Sequence, residues 1–214
     1  MKNIEILYED DFSIVVFKPA GLAVQGGKGV KTSLDKILAE IRSPQPLLVH
    51  RLDKDTSGLL LAAKGKEAAA RFSRVFGTER QAVKQYIAVC SGRLDKKEGI
   101  IKEYLLIRNS LKKSETSYKV IMSGILDAEK RQEFSVLELE LGTGRMHQIR
   151  RHLAMNGNPI LGDDKYGNFA LNKNLRRTIG LKHLLLHASR LAIKEFKLDI
   201  STPLPEYFNQ FLYK

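Results

Sequence analysis

The sequence contains one cysteine, no tryptophan and only six prolines in 214 residues. With Cys90 alone, no disulfide can form within the chain, which is typical of proteins in a reducing cytosol. No apolar stretch approaches the roughly 20 residues that span a bilayer. The first residues, MKNIEILYEDD, are acidic where a signal peptide would be apolar. We therefore expect a cytoplasmic protein without a membrane segment.

Acidic residues are also scarce. The 24 Asp and Glu side chains are outnumbered by 36 Lys and Arg, so the formal net charge is +12. Such an excess in a compact chain indicates a polyanionic partner, most often nucleic acid, although a merely soluble basic protein is the alternative. No repeat or low-complexity linker divides the chain, and 43% of its residues are hydrophobic. We expect one domain over residues 1–214.

Hydrophobic periodicity predicts strands and helices in a mixed order. The predicted strands are 4–8, 13–17, 58–63, 82–90, 133–141 and 184–193. The predicted helices are 32–42, 66–76 and 145–155. Because the two kinds of element do not alternate regularly, the pattern favours an α+β fold with a mainly antiparallel central sheet flanked by helices.

A polar stretch separates apolar segments at residues 50–61, HRLDKDTSGLLL. It can be a simple turn, because Asp, Thr, Ser and Gly satisfy the backbone of turns. It can equally be a catalytic loop, since the carboxylate of Asp53 and the cation of Arg51 lie where a strand begins. The residues alone leave both interpretations open.

Two more segments could carry chemistry. In VKQYIAV, Lys84 and Tyr86 share one face of a predicted strand, which points to solvent or a cleft if the other face is core; a packed edge tyrosine is the alternative. In TGRMHQIRRHLAMNG, Thr143 is predicted to cap a helix whose start, beside Arg145, suits a phosphate. A solvated basic helix is the alternative there. The predicted apolar stripe of this helix consists of Met146, Ile149 and Leu153, with Arg150 more outward.

A metal site is not expected. His183 and His187 are four residues apart on a predicted strand, where this spacing spans about 13 Å, too far for a single ion.

The order and spacing of these segments resemble the RluA family of RNA pseudouridine synthases. The matching segments are HRLDKDTSGLLL, VKQYIAV, GTGRMHQIRRHLAMNGNPILGDDKYG and LLLHASRLAI. The opening YEDDFSIVVFKPAGLAV also resembles that family, with Phe17 in place of its usual asparagine. The resemblance covers residues 4–200 and implies a pseudouridine-synthase-like fold with a catalytic cleft across the sheet. Many members of that family carry an additional N-terminal S4 RNA-binding domain. Because the first predicted strand begins at about Ile4, we expect that domain to be absent here.

The resemblance implies catalytic roles for three residues. Asp53 matches the catalytic aspartate, Tyr86 the tyrosine that stacks on the target base, and Arg150 the basic residue that pairs with the aspartate and keeps it ionised. The carboxylate could attack the sugar or base, or abstract a proton from the ribose. Neither route needs a cofactor or a metal.

The family likeness also implies RNA-binding and base-flipping roles. Arg51 matches the residue that fills the gap left by the flipped nucleotide. His50 and Thr56 are expected to shape the loop by hydrogen bonds, with Gly58 permitting its backbone, and Ile149 to form a pocket wall. The remaining candidates for RNA contact are Lys84, Arg145 and His147.

The predicted partner is a structured RNA, with no obligatory protein partner and a monomeric chain. The segment RRHLAMNGNPILGDDKYGN looks similar to the TruC-like branch, which modifies tRNA, so tRNA is expected first and ribosomal RNA next. The alternative is a catalytically inactive RNA-binding or RNA-folding protein on the same scaffold. A pure binder has no need of Asp53, Tyr86 and Arg150 together.

Overall fold

A computed structural model of the chain describes residues 4–79, 81–127 and 132–212. The chain forms two compact units. The first unit is drawn from Met1–Lys84 and Ala188–Thr202, and the second from Gln85–His187 and Pro203–Lys214. None of the helices in the described part of the chain has the length and apolar character needed to cross a bilayer.

Strands and helices follow one another irregularly along the chain. The strands are β1 (Glu5–Glu9), β2 (Ser13–Lys18), β3 (Leu47–Leu48), β4 (Ser57–Ala63), β5 (Ala82–Ser91), β6 (Glu98–Ile107), β7 (Ser110–Asp127), β8 (Gln132–Leu141), β9 (Leu186–Ile193) and β10 (Leu198–Ser201). The helices are α1 (Leu34–Ile41), α2 (Lys66–Gly77), α3 (Gln148–Met155), α4 (Phe169–Thr178) and α5 (Asn209–Leu212), with 3-10 turns at Lys194–Phe196 and Glu206–Phe208. β5 and β9 each run from one unit into the other.

The first unit is built around β4, whose seven residues are all buried. β4 pairs antiparallel with β2 and with the short β3, and β2 pairs with β1. Leu59 and Leu61 face a cluster that includes Phe72 and Val75 of α2. A strand covered on both faces reads as a continuous apolar run, which is why SGLLLAA shows no alternation.

The second unit contains an antiparallel arrangement of β5, β8, β7 and β6 in that order. Its core includes Val89 of β5, Leu137 of β8 and Leu153 of α3, which are fully buried. β6 and β7 form a long hairpin whose two turn residues, Arg108 and Asn109, have φ of 46° and 63°. Positive φ at both positions is typical of the tight turn that matches the twist of paired strands.

The predicted α+β class with a mainly antiparallel sheet is confirmed, and the predicted strands occur within a few residues of their expected bounds. The helix expected at 145–155 begins only at Gln148, with His147 as its N-cap. Thr143 is therefore not the cap, and Met146 lies before the helix with an exposed side chain. Sequence reasoning did not identify β6, β7 or α4. In β6 and β7 the outward positions carry exposed apolar residues, which obscures the alternation expected of a strand.

Gly58 is required by a close approach of two strands. Its φ is +114°, and a Cβ at this position would lie 2.2 Å from the carbonyl oxygen of Ala188 in β9. Gly65 also has a positive φ, +91°, but nothing lies within 4 Å of the place where its Cβ would be. Substitutions at these two glycines therefore distinguish the energetic cost of the backbone conformation from the cost of a steric clash.

We expect Gly58→Ala to lower the free energy of unfolding by about 3 kcal/mol or more, because strain and clash combine. Gly65→Ala, the matched control, should cost about 1 kcal/mol from conformation alone. Urea denaturation followed by circular dichroism measures both. Equal losses in the two variants would contradict the steric explanation.

Candidate active site

Asp53 heads a tight turn between β3 and β4 in the first unit. The backbone N–H of Thr56 donates to the Asp53 carbonyl at 3.2 Å, closing the turn over Asp53–Thr56. Asp53 is half-buried, whereas Arg51 is exposed. The neighbouring Leu52 and Thr56 are 5% and 2% exposed, so this polar loop is anchored in the core on both sides of the aspartate.

A buried lysine donates a hydrogen bond to the backbone of this turn. Lys18 has no exposed surface, and its Nζ donates to the carbonyls of Leu22 and Lys54 at 2.8 Å and of Pro19 at 3.0 Å. The backbone N–H of Gly21 donates to the same Lys54 carbonyl at 2.9 Å. The KPAG segment is thus fastened to the turn that carries Asp53.

Burial lowers the pKa of the Lys18 ammonium to about 8, against the attraction of Asp55 and Asp53, which raises it. An ammonium in such a place needs all three of its hydrogens bonded, and three carbonyls meet this need. Lys18 was not among the residues predicted for the site. The KPAG motif was the signal that could have identified it.

His50 has a structural contact in this loop. Its Nε2 accepts a hydrogen bond from the backbone N–H of Leu61 at 2.9 Å, and its ring lies 4.3 Å from that of Phe76. Burial, and then the charge of Lys84, lower the pKa of His50 to about 3, so the imidazole is neutral at physiological pH. The side chain thereby continues the hydrogen bonding of β4 beyond β3, which pairs with it only at Leu47 and Leu48.

Thr56 contributes to the loop through its backbone. Its hydroxyl Oγ1 is buried and has no hydrogen-bond partner among the described residues. The RNA-binding and base-flipping roles predicted for His50, Thr56 and Arg51 stay predictions.

In the second unit, Gln148 organises the loop that leads into α3. Its Oε1 accepts from the Thr143 hydroxyl at 2.6 Å and from the Arg145 N–H at 3.0 Å. Its Nε2 donates to the Glu115 carbonyl and to the Thr116 hydroxyl of β7. These bonds explain why the helix starts late: the Thr143 hydroxyl, predicted as the cap, instead donates to Gln148 and accepts from the Glu115 N–H of β7.

Arg150 is buried, not outward as the helical pattern predicted. Its Nε and Nη2 donate to the two carboxylate oxygens of Asp163, each at 2.8 Å. Arg150 is 6% exposed and Asp163 is fully buried. Burial alone would raise the pKa of Asp163, but Arg150 and the backbone N–H groups of Tyr166 and Lys165 hold it below its ordinary value.

Tyr166 joins this pair to His147. The Arg150 guanidinium lies 5.3 Å from the centre of the Tyr166 ring, and the Tyr166 hydroxyl is 3.0 Å from His147 Nδ1. His147 has φ of 53°, which directs the chain into α3. Sequence reasoning did not assign Asp163, Tyr166 or Gln148 to the site, although GDDKYG and HQIR were both in the matching segments.

The remaining predicted residues lie on β5, on α3 and before it. Tyr86 is 8% exposed and Ile87 is 9% exposed, so the predicted contrast between the two faces of β5 is not found at these positions. Ile149 is 4% exposed, Lys84 is half-buried and Arg145 is exposed. Asp53 belongs to the first unit and Tyr86 and Arg150 to the second, so their joint action stays a prediction.

In the described part of the chain, no group of three or more His, Cys, Asp or Glu side chains could hold a metal ion.

Comparison with known proteins identifies a protein family and several relatives that are similar to this chain. Residues 12–155 match the family described as RNA pseudouridylate synthase. A Rickettsia typhi protein named ribosomal large subunit pseudouridine synthase C is 34% identical over 96% of this chain and 69% of its own length. The protein of the same name from Haemophilus ducreyi is 36% identical over 98% of this chain and 68% of its own length.

Solved structures show the same likeness. Human RNA pseudouridylate synthase domain containing 4 has a TM-score of 0.79 and 26% identity, covering 98% of this chain and 92% of its own. Human RNA pseudouridylate synthase domain containing 1 has a TM-score of 0.78 and 26% identity, covering 95% and 84%.

We expect Lys18→Met to change how the stability of the protein depends on pH, because it removes the buried ammonium that supports the turn carrying Asp53. The folded lysine has a pKa of about 8 and the unfolded one the ordinary 10.5, so between these pH values the unfolded chain binds more protons. The wild type should therefore gain stability relative to the variant as pH rises through this window. Denaturation at several pH values measures the difference.

Lys54→Met is the matched control, because it removes an exposed side chain and keeps the carbonyl that Lys18 contacts. It should change the free energy of unfolding by less than about 0.5 kcal/mol. A difference between wild type and Lys18→Met that stays flat with pH would contradict a buried ammonium.

We expect Asp163→Asn to cost about 3 kcal/mol of stability, because the buried Arg150 guanidinium loses the carboxylate that accepts hydrogen bonds from its Nε and Nη2. Asp164→Asn is the neighbouring control. Asp164 is 79% exposed in its side chain and pairs with Arg176 at 3.3 Å, and such a surface pair contributes about 0.5 kcal/mol. Chemical denaturation of both variants measures the contrast, and similar small losses would disprove the importance of the buried pair.

Proposed function

Because this chain belongs to the RluA family of RNA pseudouridine synthases, we propose that it converts a specific uridine of large-subunit ribosomal RNA to pseudouridine. The observation that carries this proposal is the 34–36% identity, over almost the whole chain, to enzymes named for the large ribosomal subunit. The tRNA preference expected from the C-terminal half is not favoured by these relatives. The +12 charge supports a large polyanionic substrate of either kind.

The reaction is an isomerisation. The bond from the ribose C1′ to N1 of the base breaks, the base rotates, and a bond from C1′ to C5 forms. The C5 proton is lost and N1 gains a proton, so atoms and electrons balance without an oxidant, a reductant or a second substrate. In the proposal Asp53 supplies the carboxylate, by attack or by proton abstraction, and no cofactor takes part.

Three residues take part in the chemistry in this proposal. Asp53 acts on the reacting nucleotide, with Tyr86 stacked on the base and Arg150 paired with the Asp53 carboxylate. Two features support the role of Arg150: it is buried, and its guanidinium is fixed in direction by Asp163. A fixed cation loses little conformational freedom when it meets a second anion.

Arg51 serves the flipping of the target base. A uridine within folded RNA must leave its stack before the chemistry, at a cost of a few kcal/mol. The exposed position of Arg51, two residues before Asp53, supports insertion of its guanidinium into the vacated place. Lys84, Arg145, His147 and Ile149 complete the proposed contacts to RNA and pocket wall.

The proposed setting follows from this substrate. The enzyme acts in the cytoplasm as a monomer, with RNA as its partner and no obligatory protein partner. RNA binding should weaken steeply as the salt concentration rises, because phosphates neutralised by the protein release counterions. The logarithm of the binding constant should fall by nearly one unit per phosphate contact for each unit of the logarithm of the salt concentration.

We expect deletion of the gene to remove pseudouridine from one or a few positions of large-subunit ribosomal RNA. A plasmid with the wild-type gene should restore them, and one carrying Asp53→Asn should not, because the carboxylate is lost while the basic surface persists. Asp55→Asn, an exposed acidic residue in the same turn, is the matched control and should restore modification. Transcriptome-wide mapping measures which RNA positions carry pseudouridine in each strain.

Each outcome of this mapping is decisive. Loss confined to tRNA would overturn the ribosomal substrate and leave the enzyme class intact. Restoration by Asp53→Asn to within tenfold of wild type would remove Asp53 from its catalytic role.

A further inference from the structure

The hairpin of β6 and β7 presents an exposed face that carries both apolar and basic side chains. Tyr104 lies opposite Lys113, Leu106 opposite Leu111, and Lys102 opposite Glu115. Residues directly opposite in an antiparallel pair, and residues two apart along a strand, point to the same side. We call the hairpin face the surface formed by Ile100, Lys102, Tyr104, Leu106, Leu111 and Lys113.

Apolar exposure on this face is unusually large. Tyr104 and Leu111 are 65% and 64% exposed, and Ile100 and Leu106 are each 56% exposed. Single exposed apolar residues are ordinary, but a contiguous group with a basic rim marks an interaction surface.

The opposite side of the same hairpin is packed, so the exposure does not come from a detached loop. Leu105 and Thr116 are fully buried on that side. The Ser114 hydroxyl donates to the Glu103 carbonyl at 2.7 Å and lies 2.7 Å from His152 Nε2 of α3. Arg151 of α3 donates to the Leu106 carbonyl at 3.2 Å. The hairpin face is therefore held in place before any partner arrives, which lowers the entropic cost of binding.

Charge selects the kind of partner. The basic side chains of the hairpin face are Lys102 and Lys113, and the acidic Glu115 lies opposite Lys102 on the same side. Lys102 has a bridge of 3.6 Å to Glu115, while Lys113 lies across from Tyr104 and Arg108 sits in the turn. A partner that offers flat apolar rings together with negative charge matches this pattern, and unpaired RNA offers bases and phosphates in alternation.

The hairpin face also adjoins the loop that leads to Arg150. Arg145 Nε donates to the carbonyl of Lys113 at 3.4 Å, so the GRMHQIR segment and β7 are in direct contact. An RNA strand held by this segment has the hairpin face next along its path within the second unit.

We propose that the hairpin face is a stacking platform for an unpaired stretch of the substrate RNA. A base stacks on the ring of Tyr104, with Leu106 and Leu111 beneath its neighbour, and Lys113 contacts a phosphate. The inference rests on the activity of the chain on RNA and adds a second binding surface, away from the reacting nucleotide. Recognition of unpaired segments by stacking is the common mode for RNA.

The test uses the full chain and two RNAs made from the mapped large-subunit target. One RNA carries an unpaired flank beside the target stem-loop, and the other ends at the stem. Fluorescence anisotropy should show that Tyr104→Ala binds the flanked RNA about tenfold more weakly, the effect of one stacked base, and binds the trimmed RNA as the wild type does. Tyr104→Phe keeps the ring and should stay within twofold.

A pair of neighbouring lysines tests the orientation of the surface. Lys113 belongs to the hairpin face, whereas Lys112 is exposed on the other side of the strand, opposite Leu105. Lys113→Gln should weaken binding of the flanked RNA about fivefold and Lys112→Gln by less than twofold. Steady-state kinetics should place the Tyr104→Ala defect in KM, with kcat at saturating RNA unchanged within twofold.

Several results would overturn the proposal. Unchanged affinity of Tyr104→Ala for the flanked RNA would do so, and so would equal losses in Lys112→Gln and Lys113→Gln, which indicate only general charge. A wild type that sediments as a dimer, with Tyr104→Ala monomeric and unimpaired in RNA binding, would make the hairpin face a contact between two copies of the chain. If the mapping finds a target in another RNA, the same assays apply to that RNA, so failure of the ribosomal proposal is distinguishable from failure of this one.

Discussion

A buried charge must have its hydrogen bonds satisfied, and the loops that carry the proposed site are built around two such charges. In the first unit the Lys18 ammonium donates to three carbonyls, one of them in the turn that begins at Asp53. In the second unit the Arg150 guanidinium is matched by the two oxygens of Asp163. Displacing either loop leaves a charge without its partners in a dry interior, which costs far more than the loss of a surface contact.

This arrangement suits the isomerisation of a base, because the enzyme must hold a few reacting groups in fixed positions. Neutral His50 anchors its loop through Leu61, and Gln148 anchors the start of α3 through Glu115 and Thr116. His50 directly precedes Arg51 and Gln148 directly precedes Ile149, so each anchoring side chain is next to a proposed site residue in the sequence. Preorganisation of this kind is what positions a carboxylate and a cation for catalysis.

Much of the fold was predictable from local patterns. The alternation in AVKQYIAVC and EFSVLELEL identified β5 and β8, and the apolar face of KEAAARFSRVF identified α2. The β6–β7 hairpin was not predicted, because Tyr104, Leu106 and Leu111 are apolar yet exposed and their pattern does not distinguish core from surface. The predicted start of α3 was wrong because Thr143 and Gln148 form hydrogen bonds with each other and with β7, which is distant in sequence.

Composition, local periodicity and residue order were enough to predict the α+β class, the basic character, and the segments around Asp53, Tyr86 and Arg150. Three other features became visible only in the folded chain: Arg150 is buried against Asp163, Lys18 supports the turn of Asp53, and Gly58 leaves no room for a side chain beside Ala188. Each of these depends on groups brought together from separate parts of the chain. For the two charged side chains the cause is desolvation, because folding removes the water that would otherwise satisfy them and protein groups must replace it. For Gly58 the cause is steric, because the contact with Ala188 arises only when the two strands pack together.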